Sequence, residues 1–176
     1  MSAGAQKRDM YHGIVLSKLA ARKDQKFNLY MIETRKEDPG SFYAVNDSIY
    51  LYMKYKTGRI SKDNIIWDFQ FKTEHIQDIK DYNEQKLVYL ALICLHQKPT
   101  KKNEWFPGQI YPPQICLLTP ENREKCFTLD SIQQQTITVK YRLNTQNSFR
   151  VNGELNTNKP LTICRTDIDK WKIPGS

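Results

Sequence analysis

The chain of 176 residues is 39% hydrophobic and 26% charged, long enough for one domain of the usual ~100–200 residues and too apolar for a disordered chain. Basic residues exceed acidic ones by 27 to 19, a formal charge of +8 with a pI near 9.3, so an anionic partner is expected, DNA or RNA foremost. The longest apolar run, residues 87–95, falls short of the ~20 residues that cross a bilayer, so no membrane partner is expected. No apolar stretch follows the basic N-terminus as a signal peptide requires, and Cys94, Cys116, Cys126 and Cys164 show no Cys-x-x-Cys pairing. Both features point to a cytoplasmic protein with reduced thiols.

Residues 11–22 predict an amphipathic helix, with Tyr11, Val15 and Leu19 on one face and Lys18 and Arg22 beside them. Residues 27–34 predict a strand, a break follows at 37–41, and 42–45 form a second extended piece. Asn46-Asp47-Ser48 turns the chain into a third strand at 49–56. There Ile49, Leu51, Met53 and Tyr55 share one face while Tyr50, Tyr52, Lys54 and Lys56 share the other, because side chains alternate across a strand. Residues 57–64 read as a loop carrying Arg59 and Lys62. Residues 65–71 read as a strand with Ile65, Trp67, Phe69 and Phe71 on one face and Ile66, Asp68 and Gln70 on the other.

Thr73 fits the N-cap of a helix over 74–83, with Ile76 and Ile79 facing inward. The run at 87–95 shows no alternation, the pattern of a central strand covered on both faces. Residues 98–113 form a loop rich in lysine, proline and aromatics, and 114–118 resume a strand. Thr119-Pro120 opens a short helix, strands follow at 136–143 and 148–151, and Asn152-Gly153 marks a turn. The expected fold is a single domain over residues 1–176 of the α/β class, mixed α+β in type. It has a mixed sheet flanked by helices, an αβββαβ-like core at about 11–95 and a β-rich C-terminal extension at about 114–176.

The succession of a helix, a three-strand meander, a second helix and a central strand resembles the core of the PD-(D/E)xK nuclease superfamily. That resemblance implies two or more carboxylates with a lysine or glutamine on adjacent strands, which hold a divalent metal while it activates water against a phosphodiester. Asp47 with Asp68 and Gln70 is the first catalytic candidate, with Asp68-Phe69-Gln70 standing in for the acid-x-lysine element. Asp47 and Asp68 would be the metal ligands, and Mg2+ the cofactor of an active endonuclease. Glu33 with Lys54 is a second candidate, in which Tyr52 occupies the place of the second acid. Asp68 and Gln70 also suit the solvated face of a strand, and Asp47 suits a turn.

A narrower likeness lies in Tyr52-x-Lys54-Tyr55-x-x-x-Arg59-Ile60-Ser61, followed by Trp67-x-Phe69-x-Phe71 and Glu74-His75. It resembles a group of bacterial proteins with a strand of the form Tyr-x-Lys-(Tyr/His)-x-x-x-Arg-(Leu/Ile)-Ser, and it implies no activity.

The basic and aromatic residues carry their own signal. Lys54, Lys56, Arg59 and Lys62 fall between residues 54 and 62, beside Tyr50 and Tyr52 on one strand face. Cations neutralise phosphates and rings stack on unpaired bases, so these six residues are the expected nucleic-acid contacts. Tyrosines stabilising a sheet and lysines solvating it are the plainer reading of the same pattern. Trp105-Phe106-Pro107 and Ile110-Tyr111-Pro112-Pro113 in the long loop suggest a protein partner. Phosphate-loop, dinucleotide and nucleophile-elbow motifs are missing from the sequence. Three functions are therefore expected in turn: a nucleic-acid-associated protein with a degenerate nuclease-like core, in bacterial antiviral defence; an interaction subunit of a defence or anti-defence assembly; and an active metal-dependent endonuclease.

Overall fold

The computed structural model describes residues 3–34, 40–96, 112–143 and 147–173, with backbone alone at 3–7 and at 33 and 34. In its first half the elements are α1 (Ala3–Ala20), β1 (Leu29–Thr34), β2 (Gly40–Val45), β3 (Ile49–Thr57), β4 (Arg59–Ser61), β5 (Asn64–Phe71) and α2 (Thr73–Asn83). In its second half they are β6 (Val88–Leu95), β7 (Gln114–Leu118), α3 (Pro120–Cys126), β8 (Gln135–Arg142), β9 (Ser148–Asn152), β10 (Leu161–Cys164) and α4 (Asp167–Lys170). The strands form two five-stranded sheets, a mixed one in the order β1-β2-β3-β6-β7 and an antiparallel one in the order β10-β9-β8-β5-β4.

The mixed sheet begins with hairpins. Asn46 and Asp47 turn β2 into β3 with φ of 50° and 55°, a left-handed conformation that short polar side chains tolerate. The Ser48 N–H closes this turn on the Val45 carbonyl at 3.1 Å. β3 then pairs parallel with β6 from Tyr50↔Val88 to Thr57↔Leu95, and a parallel pair requires cover on both faces. Both covers are present. Val15 and Leu19 of α1, with Ile168, Trp171 and Ile173 near α4, pack on the face that carries Leu51, Met53, Ala91 and Ile93. The opposite face, with Phe42, Tyr50, Tyr52, Leu90, Leu92 and Cys116, meets Ile76 and Ile79 of α2 and the inner face of the antiparallel sheet.

Gly58 is where the chain leaves one sheet for the other. Its N–H and the Trp67 indole N–H both donate to the Leu95 carbonyl, at 2.8 and 2.7 Å. A Cβ on Gly58 would lie 2.5 Å from that indole nitrogen, so a hydrogen at this position is what allows the two sheets to approach. Arg123 of α3 is fully buried and donates to the Asn83 side chain and the Val88 carbonyl, both at 3.0 Å, which clasps the end of α2 to the start of β6.

The mixed α+β class and the helix-flanked mixed sheet agree with the sequence expectation. The strands after residue 114 divide between the sheets, β7 joining the mixed sheet and β8 pairing with β5. Residues 57–64, read as a loop, contain β4 and a hairpin turn, since Ser61 pairs with Asn64 across Lys62 and Asp63. Lys72 caps α2 in place of Thr73, and the His75 ring accepts the Lys72 N–H at 3.2 Å. α1 starts well before residue 11. Most of the break expected at 37–41 and of the loop at 98–113, including Trp105, Phe106 and Tyr111, lies outside the described residues.

Candidate nucleic-acid interface

The strand face expected to bind nucleic acid is not a surface. Tyr50, Tyr52 and Lys54 are 9%, 3% and 5% exposed, because β3 is the central strand of the mixed sheet and its second face lies against α2 and the other sheet. The Tyr50 and Tyr52 rings pack on Tyr82 and Phe42, at centroid distances of 5.1 and 4.7 Å. The Lys54 ammonium lies 3.2 Å from His75 Nδ1 and 5.4 Å from the centre of the Phe71 ring. None of the three can stack on a base or reach a phosphate without opening the core. Lys56, Arg59 and Lys62 are exposed, Lys56 at the end of β3 and the other two in the antiparallel sheet.

The catalytic and metal expectation meets a similar correction. Asp47 sits in the β2–β3 turn of the mixed sheet, where its carboxylate accepts the Tyr30 hydroxyl at 2.5 Å. That bond raises the Tyr30 pKa above the usual phenol range. Asp68 projects from the outer face of β5 in the other sheet, where it accepts the Thr138 hydroxyl at 2.8 Å and faces Arg59 at 3.3 Å. Gln70 is exposed on the same outer face. Asp47 and Asp68 thus belong to different sheets, one in a turn at the strand ends and the other on a face turned away from the layer between the sheets. Among the described residues no three His, Cys, Asp or Glu side chains come together as a metal site. Asp47, Asp68 and Gln70 therefore do not fit a shared Mg2+, and the Glu33 side chain lies outside the described residues.

What the fold does assemble is the outer face of the antiparallel sheet. Its strands alternate cleanly: β5 and β8 turn Trp67, Phe69, Ile137 and Val139 inward, so residues of the opposite parity point away from the core. The strand registers then set a row across the sheet, Thr162–Arg150–Lys140–Ile66–Arg59. Arg142 follows two residues along β8, opposite Asn64. Arg59, Lys140, Arg142 and Arg150 are all exposed. Ser61, Asn64, Lys140, Arg142, Arg150 and Asn152 line a common depression there.

Among the described residues, the outward strand positions of this face carry one acid, Asp68. Asp68 pairs with Arg59, while Lys140, Arg142 and Arg150 enter no ion pair among the described residues. At the β4–β5 turn the exposed Lys62, with φ of 53°, stands next to the exposed Asp63, so the turn adds no net charge to the face. In-register strands hold the backbones that bear neighbouring cations ~5 Å apart across the sheet and ~7 Å apart along a strand, so their side chains can reach one anionic surface together.

Sequence reasoning missed Lys140, Arg142 and Arg150. The signal was present, since Thr136, Thr138, Lys140 and Arg142 alternate with Ile137, Val139 and Tyr141 in the period of a half-exposed strand. Elsewhere, no helix among the described residues is long and apolar enough to cross a membrane. Comparison with known proteins finds no matching protein family, no matching curated protein and no matching solved structure.

Proposed function

We propose that this protein associates with nucleic acid through the outer face of its antiparallel sheet. The observation that carries the reading is the set of three exposed cations without an ion pair among the described residues, Lys140, Arg142 and Arg150, fixed by strand register on a polar face where Arg59 already holds Asp68. Each phosphate engaged by such a cation releases condensed counterions, which drives binding without any base contact. Non-specific contacts of this kind give dissociation constants on the order of 10⁻⁴–10⁻⁶ M at physiological salt. What supports the nuclease-like part of the reading is the order of α1, the β1–β3 meander, α2 and the buried strand β6, with β3 and β6 parallel, into which the β4–β5 hairpin of the other sheet is inserted before α2. Tyr52, standing where an acid would be needed and buried, makes that core a degenerate one in this proposal.

Fluorescence anisotropy with labelled DNA and RNA at low salt tests the reading. The double variant Lys140→Ala/Arg150→Ala should weaken binding by about tenfold or more, since both side chains are exposed and their loss leaves the fold intact. Lys125→Ala/Lys170→Ala, which removes two charges from α3 and α4, should change affinity by no more than about twofold. Undetectable binding at low salt, or equal losses in the two double variants, would refute the assignment.

A further inference from the structure

Resting on that reading, we infer that the partner is a duplex, held by its phosphates without regard to base sequence. The outward positions of the antiparallel sheet carry Arg, Lys, Ser, Thr, Asn, Asp, Gln, Cys and one Ile, and no aromatic residue. The nearest ring, Tyr141, is turned inward, packed by Phe149 at 6.4 Å and by the Arg165 guanidinium at 4.6 Å. Single strands are bound without sequence preference chiefly by stacking bases on rings, worth ~1–3 kcal/mol per base, and among the described residues the outward strand positions of this face offer no ring. A duplex presents one charge per ~1.7 Å of axis against ~3.4 Å for each of its strands, so a ring-free array of cations gains more from the duplex.

The shape of the face argues against base reading. Arg150, Lys140 and Arg59 span three strand spacings, ~14 Å, comparable to the ~12 Å width of a major groove. A major groove admits a helix or a two-stranded ribbon, whereas these side chains are spread over four paired strands, so they meet the backbone that borders a groove and do not enter it. Contacts of that kind position a protein on nucleic acid but carry no sequence information.

The test measures affinity for a short duplex, for each of its separated strands and for a second duplex of unrelated sequence, over a series of salt concentrations. Both duplexes should bind equally within about twofold, and the single strands about fivefold more weakly or worse. With about three phosphates engaged, log K for the duplex should fall against log salt with a slope near −3, and Lys140→Ala/Arg150→Ala should reduce that slope by about 2. Single strands that bind as tightly as the duplex, or a tenfold preference between the duplexes, would overturn the inference and leave the nucleic-acid assignment standing. Failure of every probe to bind at low salt would overturn both.

Discussion

Replacing Gly58 with alanine tests the contact that joins the two sheets. The added Cβ would lie 2.5 Å from the Trp67 indole nitrogen, 2.8 Å from its Cε2 and 2.8 Å from Ile65 Cγ2. Trp67 cannot swing away, being fully buried, bonded to the Leu95 carbonyl and bordered by the rings of His96 and Phe149 at 5.7 and 6.3 Å. Overpacking of a well-filled core costs about 1–3 kcal/mol, and loss of the indole hydrogen bond adds about 1 kcal/mol. Restriction of the unfolded chain by alanine returns about 0.4–1 kcal/mol. The net destabilisation should be about 2–3 kcal/mol, read in urea as a midpoint lower by about 1 M.

A double-mutant cycle gives the sharper reading. Trp67→Phe removes the indole nitrogen and Cε2 that the new methyl group would strike, so it should cost far less in the Gly58→Ala background than alone. A coupling of about 1 kcal/mol or more is expected. A midpoint for Gly58→Ala within error of the wild type, or strictly additive single variants, would refute the close approach on which the sheet-to-sheet geometry rests.

Gly153→Ala should be more damaging, about 3 kcal/mol or more, because its Cβ would lie 2.1 Å from the Cys126 carbonyl oxygen, a backbone atom that also accepts the Leu155 N–H; a near-native urea midpoint would contradict this. Burial, with the Arg165 cation nearby, holds His96 down at about 4 against an ordinary 6.5, so the unfolded chain takes up a proton below pH 6.5 that the folded one refuses until about pH 4. The stability tied to His96 is complete above pH 6.5 and is lost as pH falls toward 4, about 1–2 kcal/mol by pH 5; urea titrations at pH 7.5 and 5 should show this loss in the wild type and a smaller one in His96→Phe. Burial pushes the Cys94 and Cys116 thiols well above their usual range and Cys126 up to about 11, whereas hydrogen bonding with Thr166 lowers that of Cys164. A thiol-disulfide reagent should therefore titrate Cys164 quickly and the other cysteines only on unfolding; fast reaction of a second thiol in the native state would contradict it. Asp68→Asn should tighten duplex binding by about threefold by releasing Arg59, where an endonuclease dependent on Asp68 would instead lose cleavage.

The local pattern made most of the strands legible, together with the class of fold. Residues 65–71 alternate strictly, and the structure buries the predicted face, from Ile65 to Phe71. The unbroken apolar run at 87–95 marked a doubly covered strand, and every residue of β6 is buried. Thr119-Pro120 likewise declared a helix start, with the Thr119 hydroxyl accepting the Asn122 N–H at 3.2 Å. Each of these signals is local, set by side-chain alternation, by the fixed φ of proline or by a capping oxygen.

The placement of β3 was not legible in that way. Tyrosine and lysine have apolar bodies with polar tips, so Tyr50-x-Tyr52-x-Lys54 serves equally as a solvated face and as a buried one. Only the pairing of β3 between β2 and β6, with Tyr50 opposite Val88 in the latter, decides that the face is inside. The same long-range pairing decides the candidate interface. Arg59, Lys140 and Arg150 sit far apart in the chain, and each alone is an ordinary surface cation. Sequence composition determined that positive charge is in excess; the register of β4, β5, β8 and β9 determined where it gathers, because strand pairing brings distant residues within a few ångströms while alternation sends them to one side.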